Sequence, residues 1–291
     1  MKRRKCANFY HVYTKGLEDN LIFRERQDYI TGMNYIALCT FISGIDMLAF
    51  SLMSNHFHFV IYGTMEEARL FMNQYKWHIS RYLNKRHGSI KLLRHVKTGY
   101  KLIEHSGETL KTVIAYVLRN HIKAGINHSV QGYEWSSGHC YFAGTDLLAG
   151  TVPLCDLGTR EYRKLMHTKT RLNSSYRING RGYIEPASYV NVTFVESCYG
   201  RVQSLDYFIY KAGGSRTKEG PVDFSDKLVM SGLQEILNKK YDLAELTELN
   251  DSMKRDVMIL LKRQFNCSPK QLARIMKMSL NDVAAYLSGD A

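Results

Sequence analysis

Two short stretches of this 291-residue chain hold residues whose types and spacing could do chemistry. In the first, His56 and His58 flank Phe57. Along a strand, successive side chains leave on opposite faces, so both imidazoles point one way and the phenyl ring the other. Two imidazoles side by side can hold a divalent ion. Chance alone places about 0.4 such pairs in a chain with this many histidines, so the pair by itself decides little. In the second, Tyr116, Asn120 and Lys123 fall at i, i+4 and i+7 of a helical pattern and share one face. A phenol can be a nucleophile, an amide oxygen a third metal ligand, and an ammonium group a neutraliser of phosphate. An ordinary polar helix face with one amphipathic tyrosine has the same pattern, and the chain has 20 tyrosines.

The elements that must position these residues alternate between strands and helices. Asn8 to Tyr13 is aromatic and β-rich and ends at the Lys15-Gly16 turn. Ile45 to Met53 and Phe57 to Tyr62 read as strands separated by Ser54-Asn55, a join short enough to force antiparallel neighbours. Glu25 to Phe41, Met65 to Arg86 and Glu108 to Lys123 have apolar residues at helical spacing, the last opened by Ser106-Gly107 and closed by Gly125. Lys91 to Glu104 is basic and β-like, with a break at Gly99. The expected fold class is α+β: a central antiparallel sheet with packed helices, followed by a C-terminal helical module. The expected division is 1–145 for the sheet domain, 146–222 for a connecting region and 223–291 for the helical module. The connecting region shows β-like pieces at Tyr189 to Phe194 and Tyr207 to Lys211, and a linker composition near 212–221.

The order of the pieces is more specific than either motif. The strand Ser54-Asn-His-Phe-His-Phe-Val-Ile61 is followed by a long helix, a basic β segment, the helix Tyr116-Val-Leu-Arg-Asn-His-Ile-Lys123, and then Tyr133-Glu-Trp-Ser-Ser137; Tyr10-His-Val12 opens the series. Over roughly half of the chain, Asn8 to Tyr141, this resembles the single-tyrosine HUH transposases, most closely their REP-associated tyrosine transposase branch. The resemblance implies the HUH-type fold and a metal-dependent single-stranded DNA endonuclease and strand transferase. Such an enzyme acts on hairpin-flanked sites through a 5′-phosphotyrosine intermediate. It implies that His56 and His58 bind Mg²⁺ or Mn²⁺, that Asn120 completes the metal site and that Tyr116 is the nucleophile. The family commonly has proline after the asparagine; here the residue is His121, which either alters the helix end or offers another ligand. Two alternatives remain: a non-catalytic regulator that binds DNA hairpins, and a relaxase or replication initiator of the HUH class. The intact His56, His58, Tyr116 and Asn120 argue against the first, and the motif order argues against the second.

The formal net charge of +13 favours a polyanionic partner. Candidate DNA contacts are the basic arm Arg3, Arg4 and Lys5, then Arg81, Arg86, Arg94, Lys97 and Lys123. Trp77 and Tyr82 lie among these cations, either as stacking platforms for a single strand or as core. No run of about 18 apolar residues is present, so no membrane partner is expected. Six scattered cysteines without a Cys-x-x-Cys pair read as reduced thiols, which suits the cytoplasm, and the DNA partner that the resemblance implies adds association with the nucleoid. Near the end, Ser268-Pro269 and Ser279 are placed to cap two helices, with Leu272, Ala273 and Ile275 inward and Asn281, Asp282 and Ala285 outward. This is either a helix-turn-helix that binds duplex DNA or a plain helical hairpin. The oligomeric state is not legible.

Overall fold

The structure, a computed structural model, describes residues 6–15, 21–88, 93, 96–104, 107–123, 129–214, 224–265 and 267–288. The first part runs β1 (Asn8–Thr14), α1 (Arg26–Ser43), β2 (Asp46–Leu52), β3 (Phe57–Gly63), α2 (Met65–His87), β4 (Thr98–Ile103) and α3 (Gly107–Lys123). The four strands form one antiparallel sheet in the order β2-β3-β1-β4. The α+β expectation therefore holds, and the helices lie on both faces of the sheet.

Strand alternation sorts the two faces. Phe57 and Phe59 of β3 pack edge-on against Tyr75 of α2, and Phe59 also against Phe71. That face is closed by α1 and α2. His58 of β3 leaves on the opposite face, with Phe9, His11 and Tyr13 of β1 beside it. There α3 lies across the sheet and buries Leu110, Ile114, Val117 and Leu118. Local sequence sets the helix ends. Thr64 and Glu67 form a reciprocal capping box at the start of α2, and Gly88, at φ 64°, ends it in the left-handed conformation. The β2–β3 join is a tight turn in which the Met53 N–H donates to the His56 carbonyl at 2.8 Å.

One expectation is corrected here. Gly99 does not interrupt the strand: it pairs with Tyr13 in the β1–β4 register. The Tyr13 ring occupies the space that a side chain at 99 would need. Glycine marks a close approach across the ladder and not a break.

The chain continues through β5 (Val152–Pro153), α4 (Thr159–Met166), β6 (Arg177–Ile178), α5 (Val192–Tyr199) and α6 (Val202–Gly214). The two β-like pieces are mostly helical. Val190 does bridge Met47 of β2, but Asn191 then accepts from the Phe194 N–H and caps α5. Tyr207 to Lys211 lies inside α6, with Leu205, Phe208 and Ala212 buried. Tertiary packing overrides the β propensity of aromatic and β-branched residues here. The helix also runs to Gly214, into the stretch with linker composition, and residues 215–223 lie outside the described residues. Leu154, Tyr162, Tyr183, Tyr189, Leu205 and Ala212 belong to the same hydrophobic core as the sheet.

A second core gathers α7 (Asp226–Ile236), α8 (Asp251–Phe265), α9 (Pro269–Met276) and α10 (Leu280–Ser288), with Leu21 from the first part. Ser268 accepts from the Gln271 N–H and Ser279 from the Asp282 N–H, so both expected caps are formed. Leu272 and Ile275 are buried, Ala273 half-buried, and Asn281 and Asp282 exposed. No described helix is long and apolar enough to cross a membrane.

Candidate metal and nucleophile site

The sheet register assembles the site from β1, β3 and α3. His58 pairs with Tyr13, and His11 with Val60, so His11 and His58 are diagonal neighbours on one face. The His56 and His58 rings are perpendicular, with centroids 5.0 Å apart, and both residues are buried. Half-buried Tyr116 meets the His58 and His11 rings edge-on, each at 5.7 Å. The helix thus places a reachable phenol directly over the histidine face.

Each imidazole is held from behind. His56 Nδ1 lies 2.7 Å from Asn55 Oδ1. A carbonyl oxygen only accepts, so the His56 proton sits on Nδ1, and in the neutral ring the lone pair is at Nε2. His58 Nδ1 lies 2.9 Å from His11 Nε2, a buried contact between two rings. Burial, and then the charge of Lys101 opposite it in β4, lower the His11 pKa to about 3. His11 is therefore neutral at ordinary pH and can accept from His58 Nδ1–H.

Asn120 is one turn beyond Tyr116, and its Nδ2 donates to the carbonyls of Tyr116 and Val117 at 3.1 and 3.3 Å. Its amide orientation is thereby set by the donor end, which makes Oδ1 the atom it can offer a cation. Two imidazoles whose Nδ1 atoms are engaged and one amide oxygen make a donor set whose chemistry suits a divalent ion.

His121 does not join this set. Its ring stacks on Tyr133 at 4.3 Å and its Nε2 contacts the Ser129 carbonyl at 3.0 Å. Burial, opposed by that hydrogen bond, brings its pKa down to about 4. Being fully buried, it serves as core behind α3. The Trp-Ser-Ser segment is structural support. The Leu52 N–H donates to the Trp135 carbonyl at 2.9 Å and the Ser137 N–H to the Phe50 carbonyl at 3.1 Å, so the segment covers the edge of β2 beside the histidine turn. The Tyr133 hydroxyl donates to the Leu52 carbonyl at 2.7 Å.

Among the described residues, two other groups of possible ligands are accounted for by bonding within the protein. In His139–Cys140–Glu185, burial and the nearby Glu185 charge push the Cys140 thiol up, away from thiolate, and His139 contacts Glu185 at 2.9 Å. In Glu25–Asp28–His87, the buried Asp28 accepts from two backbone N–H groups at the start of α1 and contacts His87 at 3.0 Å.

The expected DNA contacts fall in different places. Lys97 is exposed just before β4. Arg81 and Arg86 are on α2, across the sheet from Tyr116, and Arg86 is paired with Glu25. Arg3, Arg4, Lys5, Arg94 and the side chain of Lys123 lie outside the described residues. His11 and Asn55 were not singled out from sequence as site residues. Alternation along β1 puts His11 on one face, but only the register against β3 makes it a partner of His58.

Residues 23–120 match the family model described as Transposase IS200 like. That span contains β2, β3 and α3 as far as Asn120, with His56, His58 and Tyr116, and it bears out the transposase resemblance at that level. Among solved structures, a chain described as "Structure of the REP associates tyrosine transposase bound to a REP hairpin" matches with a TM-score of 0.34 and 15% identity. The match covers 62% of this chain and 99% of the other. No curated protein matches.

Proposed function

We propose that this transposase-like protein is a metal-dependent nuclease and strand transferase for single-stranded DNA, acting at hairpin-flanked sites with Tyr116 as nucleophile. The observation that carries the reading is the edge-on contact of half-buried Tyr116 with His58, whose neighbour His56 is turned perpendicular to it. An ion held by His56, His58 and Asn120, Mg²⁺ or Mn²⁺, would supply Lewis-acid withdrawal of charge from the scissile phosphate.

The protein's own residues do the rest. The Tyr116 phenol oxygen bonds to phosphorus as the bond from phosphorus to the 3′-oxygen breaks. The phenol gives up a proton to solvent, and the departing 3′-oxygen takes one. The product is a 5′-phosphotyrosine and a free 3′-OH. Attack by a second 3′-OH on the same phosphorus reverses the exchange and frees Tyr116, so the bond energy is kept for rejoining. Asn55 and His11 hold the two imidazoles, and α3 holds the phenol in line with them. Lys97 is a candidate phosphate contact, and α9 with α10 a candidate duplex tether near the cut site. The setting that suits this chemistry is the cytoplasm, at the nucleoid.

The test is a covalent-adduct assay. The chain is incubated with labelled single-stranded hairpins from its own genomic flanks, with Mn²⁺ or Mg²⁺, and resolved under denaturing conditions. A stable protein–DNA band is expected, lost in Tyr116→Phe, in His56→Ala and with EDTA. Tight binding of every flanking hairpin with no adduct would overturn the proposal in favour of a non-catalytic hairpin binder.

A further inference from the structure

A cavity of about 870 Å³ opens between α1, α2 and residues 167–170, on the α2 side of the sheet and so across it from Tyr116. Its size is that of a small-ligand pocket. Gln74, Trp77, His78, Arg81, Tyr82 and Lys85 line it from α2, at the spacing of one helix face. That face is offset from Tyr75, Ile79 and Leu83, which α2 buries in the core. Trp77 is 50% exposed, and the Arg81 guanidinium lies over its ring at 4.5 Å. The His78 ring packs between Trp77 at 4.7 Å and Tyr35 at 4.9 Å. From the other wall, His167 meets Tyr82 at 5.7 Å, and Thr168 and Thr170 bring hydroxyls. No Asp or Glu among the described residues lines the cavity. Among the described residues Arg86 alone of its three cations has carboxylate partners, Glu25 and Asp28, which leaves Arg81 and Lys85 without one.

We propose that this cavity is a second single-stranded DNA site, separate from the cleavage centre, in which a base stacks on Trp77 while Arg81 and Lys85 take the flanking phosphates. A half-exposed indole next to cations that have no acid to pair them among the described residues is the chemistry that holds single strands, the base meeting the part of the ring that Arg81 leaves open. A concave pocket of this size admits one unstacked nucleotide and not a duplex, whose grooves are read by elements that protrude. The choice of DNA as the strand rests on the function proposed above; the stacking and the charge do not. The site joins α2, within the span that matches the transposase model, to residues 167–170 beyond it. The connecting region thereby acquires a role in holding substrate.

The test uses the full chain carrying Tyr116→Phe, in EDTA, with a labelled hairpin-free oligothymidylate followed by fluorescence anisotropy. No cleavage or metal is needed, so failure of the tyrosine chemistry leaves this readout intact. Salt-sensitive binding is expected, weakened about tenfold by Trp77→Ala and more than tenfold by Arg81→Glu with Lys85→Glu. An oligonucleotide carrying 4-thiothymidine is expected to crosslink to peptides spanning 74–86 or 167–170. Binding unchanged in both variants would overturn the proposal, as would crosslinks confined to the Tyr116 face. Thymidine monophosphate competing as tightly as the oligonucleotide would also overturn it, because the site would then be one for free nucleotides.

Discussion

The residue that does most to organise the site without being one of its obvious chemical groups is His11. Its Nε2 sits 2.9 Å from His58 Nδ1, and both rings are buried. Outer partners of this kind fix ring orientation and tautomer in metal sites, and their loss typically costs about 10–100-fold in affinity. His11→Ala is therefore expected to weaken Mn²⁺ binding by that factor in a calorimetric titration without DNA, while His11→Gln retains part of it. Equal affinity in all three proteins would show that His58 needs no partner. A second residue-scale case is Gly99. The Tyr13 ring, stacked on His11 at 4.8 Å, fills the place of a side chain there. Gly99→Ala must push that ring toward the histidines, an overpacking cost of about 1–3 kcal/mol that urea unfolding would measure. The His-Phe-His and Tyr-x-x-x-Asn spacings were legible because their chemistry is local to one strand and one helix. The supports were not, since His11 is 47 residues from His58 and meets it only through strand register.

At the scale of elements, the position of the phenol depends on what clamps α3. One face of α3 lies on the sheet, and α6 packs on the helix as well. The Tyr199 hydroxyl donates to the Lys111 carbonyl at 2.6 Å, and the Lys111 ammonium lies 5.6 Å from the Phe208 ring. Leu205, a fully buried residue of α6, is the test of this clamp. Leu205→Ala should cost about 2–5 kcal/mol of stability and lower the yield of the Tyr116 adduct at temperatures where the protein stays folded. Loss of stability with an unchanged adduct would mean that the sheet alone fixes α3. This element was the hardest to read in the sequence. Tyr207-Phe-Ile-Tyr-Lys211 has β propensity and too short an apolar run to declare its period. By contrast α2 and α3 are long and periodic, α1 is long and buried all round from Thr31 to Thr40, and the Ser54-Asn55 join dictated its own hairpin. The C-terminal helices announced themselves through caps at Ser268 and Ser279, and their packing has one tight point. A side chain on Gly232 of α7 would enter the Phe265 ring. Gly232→Ala is expected to loosen α7–α10, seen as faster amide exchange there than in the sheet.

For the whole molecule, the consequential feature is where one core ends and the next begins. The expected end of the sheet domain at 145 follows the chemical motifs and the family resemblance, which stop there. The buried side chains do not stop with them. Phe50 of β2 stacks on Tyr189 at 6.2 Å, Phe9 of β1 on Phe194 at 5.8 Å, and the Ile184 N–H donates to the Asn34 side chain at 2.8 Å. Removing residues beyond 145 would strip these groups from β1, β2, α1 and α3 together, far more than a marginally stable domain can lose. Beyond 214 the situation is different. The helices from α7 onward gather around Phe224, Val257, Leu261 and Phe265, and among the described residues Leu21 is the sheet part's contribution to that core. A chain ended at 214 is therefore expected to unfold cooperatively in urea and to form the Tyr116 adduct with a hairpin. A chain ended at 145 is expected to give no cooperative transition and no adduct, despite keeping His56, His58, Tyr116 and Asn120. If the shorter chain instead unfolded with the same midpoint as the longer one, residues 146–214 would be an attachment to a self-sufficient domain, and the clamp on α3 would have to be sought in the sheet.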